Sequence, residues 1–194
     1  MQGNLEAKLS VLGERTEPGF VSRLGNFISQ ADDWALFRIN PYRLAAEQGW
    51  EAEATLDLLI LAARAALFDF DYNLLCPRCG GVAHSHHQLD AIDHADFYCA
   101  LCNASAPATL DDQVEVSFTI HPSVRQLQID PLVDMQSYGR YYFSRNYHVS
   151  PRLTELRREI MKALITLEGG QSRRLELHAG KHSVYQLASI EHNT

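Results

Sequence analysis

Four cysteines carry the clearest chemistry in this 194-residue chain. They come as two matched pairs, Cys76-Pro-Arg-Cys79 and Cys99-Ala-Leu-Cys102, with nineteen residues between Cys79 and Cys99. A C-x2-C pair sets two thiolates on one tight turn, and two such turns facing each other complete a tetrahedral S4 shell. Pro77 presets one backbone angle of the first turn, and Gly80 lets the chain reverse after the second ligand. The expected cofactor is one structural Zn2+ ion held by Cys76, Cys79, Cys99 and Cys102. Four protein ligands leave no position for water, so the ion is expected to stabilise the fold and not to catalyse. Disulfides do not suit a cytoplasmic chain. A redox CxxC needs no second matched pair, and ferredoxin clusters use other spacings.

Other residue groupings carry weaker chemistry. His84, His86 and His87 lie between the pairs with His94 further on, and no cysteine or carboxylate is placed to complete a second metal set with them. They read as an exposed, histidine-rich ribbon tip. The stretch Tyr138–Tyr147 mixes aromatics with arginines and is expected to face the core from a strand; stacking on bases or closing a ligand pocket is the alternative. The carboxylates of Asp32-Asp33 and Asp111-Asp112 are sequence neighbours that point apart on any regular element, so neither pair makes an acid–base site. No phosphate-cradling glycine loop, nucleophile elbow or HExxH motif is present. No enzyme activity is expected within the chain.

The scaffold around the cysteines is legible in the hydrophobic period. Leu5, Leu9 and Leu12, then Leu24, Phe27 and Ile28, recur at helical spacing, with Thr16-Glu-Pro18-Gly19 between two helices. Pro41 to Gln48 reads as a short helix capped by Asn40, with proline at its first position and Gly49 as its stop. Glu51 to Phe68 reads as a longer helix. Val114, Val116, Phe118 and Ile120 alternate with Glu115, Ser117 and Thr119, which predicts a half-buried strand. Further strands are expected at Val124–Ile129, Arg140–Val149, 163–168, 172–178 and 182–189, with a helix after Pro151. The fold class is therefore α+β. A helical, helix-turn-helix-like part is expected over 1–75, a four-cysteine zinc ribbon over 76–112, and an antiparallel β-sheet or small sandwich over 113–194.

The composition, 46% hydrophobic and 21% charged, is that of an ordinary folded domain. No apolar run reaches the roughly 20 residues of a membrane helix. The N-terminus has no signal-peptide pattern, so the expected location is cytoplasmic with no membrane partner. The net charge of -7 comes mostly from the first 120 residues, and basic residues outnumber acidic ones only beyond them. The second helix of the helix-turn-helix-like pair begins with Glu51, Glu53 and Asp57. Those carboxylates would repel phosphates, which argues against nucleic acid as a partner.

The runs Ile39-Asn-Pro-Tyr-Arg-Leu-Ala45 through Trp50, Leu61 to Phe70, Leu74-Leu-Cys-Pro-Arg-Cys-Gly80, and Val114–Phe118 with Ile120–Arg125 resemble an uncharacterised bacterial domain. That zinc-ribbon-containing domain stands at the N-terminus of proteins with a class III adenylate/guanylate cyclase catalytic domain. The resemblance implies a non-catalytic regulatory or sensory module, the N-terminal region of a longer cyclase. Its partner would be the catalytic domain in cis, or another protein, with homodimerisation as one route to switching output. A zinc-ribbon helix-turn-helix regulator that binds DNA is one alternative. A redox or metal sensor using the four cysteines is another.

Overall fold

A computed structural model of the chain describes residues 2–92, 96–107 and 113–145, and parts of 152–178. Residues 2–64 are built around four helices, α1 (Gln2–Gly13), α2 (Pro18–Gln30), α3 (Pro41–Gln48) and α4 (Ala52–Arg64). Pro18 and Pro41 open α2 and α3, where a missing N–H costs nothing. The Asn40 side chain caps α3 by accepting from the Arg43 N–H at 2.9 Å. Gly49 ends α3 with φ 66, the left-handed stop expected of glycine.

The expected extent of α4 needs correction. The helix ends at Arg64, and Ala66 takes the left-handed conformation with φ 56. The Leu67 N–H closes the turn on the Ala62 carbonyl at 2.9 Å. An alanine in that role gives no sequence signal, because its Cβ makes the conformation unfavourable. The chain then enters strand β1 (Phe68–Leu75). The other strands are β2 (Val82–His86), β3 (Asp96–Cys99), β4 (Ala104–Pro107) and β5 (Val114–Ile120). All pairings between them are antiparallel, in a three-stranded sheet ordered β2-β1-β5 and a separate β3-β4 hairpin. The sheet thus takes one strand from each of the three expected segments.

Register decides what each sheet face carries. Phe68, Phe70, Tyr72 and Leu74 stand opposite Ile120, Phe118, Val116 and Val114. One end of this apolar face joins the main core, where Phe68 and Phe118 pack with Leu12, Leu24, Leu58 and Leu59 from the helices. Asp69, Asp71 and Asn73 stand opposite Thr119, Ser117 and Glu115 on the other face.

Beyond Ile120 the expected β-rich architecture is corrected. Residues 125–130 form an irregular segment, not a strand. Met135–Tyr142 is helix α5, capped by Asp134 accepting from the Ser137 N–H at 2.7 Å. Its cap offers the backbone a helical start that a tyrosine-rich pattern does not reveal. Arg152, Glu155 and Glu159 are helical, consistent with the expected helix after Pro151. The strands expected at 163–168 and 172–178 are corrected too, since none of the described residues there is in a strand. The strand expected at 182–189 lies outside the described residues. No helix among the described residues is long and apolar enough to cross a membrane.

Candidate metal centre

Both cysteine pairs sit on hairpin turns. Cys76 and Cys79 occupy the turn between β1 and β2, closed by the Cys76 N–H on the Gly81 carbonyl and the Gly80 N–H on the Cys76 carbonyl, each 2.8 Å. Gly80 there has φ 69, as its place after the second cysteine predicts. Cys99 ends β3, and Cys102 precedes Asn103, which has φ 52 before β4 begins. Asparagine tolerates this conformation better than most residues, and its carboxamide accepts from the Tyr98 hydroxyl at 2.5 Å. The two knuckles share one backbone solution reached with different residues.

The four sulfur atoms all lie within 4.8 Å of one another. Cys76 Sγ is 3.6 Å from Cys102 Sγ, and Cys79 Sγ is 3.7 Å from Cys99 Sγ. These separations are far too long for disulfides, whose S–S bond is about 2.05 Å. They match the edge of a tetrahedron with metal–sulfur bonds of about 2.3 Å, which is about 3.8 Å. A multi-iron cluster would hold its thiolates on separate irons, further apart. Cys76 and Cys99 are buried, Cys79 and Cys102 half-buried. Leu74, Ile92 and Phe97 pack around them.

The electrostatics are compatible with a cation. Burial pushes the Cys76 thiol up, but the N–H groups of Cys79 and Arg78 outweigh it and hold that thiol below its ordinary value. Burial pushes Cys79 and Cys102 up. One thiolate is favoured and its neighbours resist ionisation, since like charges crowded together disfavour each other. A bound dication removes that conflict and takes all four as thiolates. The four cysteines could therefore hold one metal ion.

The histidines do not join this centre. Among the described residues, the four cysteines are the only group of three or more candidate ligands close enough to share an ion. His84 and His86 lie on β2 with ring centroids 6.2 Å apart, and His84 meets the edge of Phe97. Burial lowers the His84 pKa, favouring the neutral ring. His87 is largely exposed and lies 3.3 Å from Asp71 Oδ1. His94 and the Asp111-Asp112 pair lie outside the described residues. Asp32 accepts from the Ala35 N–H, and Asp33 pairs with Arg125 at 2.5 Å, so both hold loops together. Of the tyrosine-rich stretch, Tyr142 is buried, which pushes its hydroxyl up to about 12.

The sequence reading missed a second constellation. The strand expected to be half-buried has Glu115 and Ser117 of its polar face buried as well, with Asp71 and Asn73 buried opposite them. A polar ladder crosses the sheet, Ser85 donating to Asn73 and Asn73 to Ser117, each at 2.8 Å. Thr119 donates to Asp71, and Ser144 donates to Glu115. Arg38 is buried, and the charges of Asp71 and Glu115 only partly offset the lowering of its pKa by burial. Its guanidinium donates to the Tyr141 carbonyl at 2.6 Å and lies 4.9 Å from the Phe37 ring centre. Among the described residues no buried side-chain nitrogen or oxygen lacks a hydrogen-bond partner. The polar alternation of β5 was visible in sequence, but not what covers it.

An apolar groove of about 550 Å³ opens on the other face, lined by Tyr42, Leu56, Ile60, Phe70 and Val116 among others. Neither curated proteins nor solved structures yield a match to this chain. A family model does match, over residues 2–194, and the chain belongs to that family, described as a family of unknown function (DUF5939).

Proposed function

We propose that the chain is a non-catalytic regulatory module whose ribbon is held by one structural Zn2+ ion. The module acts on a class III cyclase catalytic domain in cis, through protein contacts or a small ligand. The observation that carries the metal assignment is the convergence of four sulfur atoms within 4.8 Å on two facing hairpin turns. An all-thiolate tetrahedral set of this size suits zinc, and when bound the ion supplies charge neutralisation and cross-linking of the two turns. Cys76, Cys79, Cys99 and Cys102 fill the whole shell, which supports a structural role. The apolar groove has the volume of an ordinary small-ligand site. The cyclase assignment rests on the resemblance of the Asn40–Ala45 and Leu74–Gly80 segments.

Two measurements test this reading. Elemental analysis of the purified chain should find one zinc per molecule, and substitution with Co2+ should give the visible absorption of tetrahedral thiolate coordination. Deleting this region from a protein that carries it ahead of a cyclase domain should change the rate or the regulation of cyclic-nucleotide synthesis. Unchanged activity and regulation would remove the cyclase assignment and leave the metal assignment standing.

The half-exposed state of Cys79 and Cys102 favours a second reading, in which the same site is labile and senses oxidant or metal. Zinc released by mild oxidant and regained on reduction supports it; zinc retained throughout refutes it. The DNA-binding alternative has less support. The Glu51 carboxylate is already engaged by the N–H groups of Glu53 and Ala54 at the start of α4. Glu53 and Asp57 stay exposed beside it, where phosphates would have to approach.

A further inference from the structure

The segment Tyr141–Arg145, at the end of α5 and just beyond it, touches three parts of the molecule. At the first knuckle, Phe143 forms a β-bridge with Gly81, and the Ser144 N–H approaches the Gly80 carbonyl at 3.5 Å. A Cβ placed on Gly81 would sit 3.3 Å from the Tyr142 carbonyl, 3.3 Å from Cys79 Sγ and 2.2 Å from the Leu101 side chain. That glycine is where both knuckles and the segment meet. On the sheet, the Ser144 hydroxyl donates to the buried Glu115. At the loop between α2 and α3, Arg38 donates to the Tyr141 carbonyl, while Arg145 donates to the carbonyls of Trp34 and Phe37 at 2.8 and 3.0 Å.

We propose that residues 141–145 form a strap whose closure over the polar sheet face is coupled to metal occupancy of the cysteine centre. This rests on the reading that the four cysteines hold an ion. The metal fixes the Cys76–Gly81 turn, and the turn presents Gly80 and Gly81 to the strap. The strap then completes the hydrogen bonding of Glu115 and of the Arg38 loop. Without the ion the turn loses its cross-link, so the Gly81 bridge is the first strap contact to go. Apart from the Tyr141 ring stacked on Phe37 and the buried Tyr142, the strap is held by hydrogen bonds that water can replace, so this cover opens at a lower free energy than the apolar core does. Arg38 adds to this, because it holds φ 48, a strained value that the closed strap sustains through the Tyr141 bond. The covered polar residues are the parts that feel the change.

Coupling is reciprocal, so loosening the strap must also loosen the metal. The first test uses the zinc-loaded full chain and a chromophoric chelator to measure zinc release. Ser144→Ala removes a strap contact and no ligand, and should speed release by roughly tenfold, within the range of ordinary intramolecular coupling. Leu24→Ala, in the core between the helices, should destabilise the protein and leave the release rate unchanged. The second test compares hydrogen exchange with and without zinc: exchange should rise at residues 141–145 and 34–39, as well as in the ribbon. Equal release rates for Ser144→Ala and the parent, or an exchange change confined to residues 76–107, would overturn the coupling while leaving the metal assignment intact. A chain with no zinc and no affinity for added Zn2+ would fail earlier, refuting the metal assignment and the coupling with it.

Discussion

The two faces of the β2-β1-β5 sheet are buried by opposite chemistry. Phe68 and Phe118 on one face sit in a helical core and are held by the area they remove from water. Asp71, Asn73, Glu115 and Ser117 on the other are held by specific partners, chiefly Arg38, Thr119, Ser85 and Ser144. An apolar face tolerates small shifts, because dispersion and burial have no strict direction. A polar face does not, because each lost partner leaves a desolvated group without compensation. The first face fixes the fold, and the second is the one on which a small displacement has a large local effect.

The apolar face is most vulnerable at Phe118. It is fully buried and its ring centre lies 5.0 Å from that of Phe70. Phe118→Ala should cost about 4 kcal/mol in urea unfolding, and the loss should not vary with pH. Arg38→Met keeps most of the volume but leaves two buried carboxylates without their cation, and should cost about 3 kcal/mol at neutral pH. That loss should shrink in acid, where the carboxylates can take up protons instead; a pH-independent loss would mean that Arg38 acts only by packing.

Asp71 sharpens the contrast further. Burial raises its pKa above the ordinary 3.8, more than Thr119 and Arg38 lower it. The folded chain therefore binds this proton more tightly than the unfolded one. The contribution of Asp71 to stability is fully present below 3.8 and is lost as pH rises through its higher folded value. Denaturation of the parent and of Asp71→Asn at a series of pH values should show the parent losing ground to the variant as pH rises through that window. Parallel curves would refute the assignment. The smallest effect is expected at the end of α4, where Ala66→Gly should raise stability by about 0.5–1 kcal/mol by relieving the left-handed alanine. A loss of stability there would mean that glycine's unfolded-state entropy outweighs the strain.

These sites also mark where sequence reasoning succeeded and where it stopped. Gly49 and Ala66 end successive helices in the same backbone conformation. Only the glycine was legible, because glycine is selected for that conformation whereas alanine is merely forced into it. Tyr138–Tyr142 has an aromatic pattern open to either a strand or a helix, and the Asp134 cap decided for a helix. The alternation Val114 to Ile120 was read correctly as a strand with one polar face. Alternation reports which side chains share a face, but not what comes to rest on it.

The sequence alone determined the parts whose chemistry is local. Two C-x2-C pairs turn back on themselves, and Asn40, Pro41 and Gly49 start and stop a helix, because turns and caps are made by residues a few positions apart. Tertiary structure decided what depends on distant residues meeting. It brought the two knuckles within bonding reach of one ion, drew β1 and β5 together from opposite sides of the ribbon, and placed Arg38 and Ser144 over carboxylates far away in the chain. The difference is physical: a short-range pattern is written in adjacent side chains, whereas burial of a polar face depends on which partners the whole fold can deliver to it.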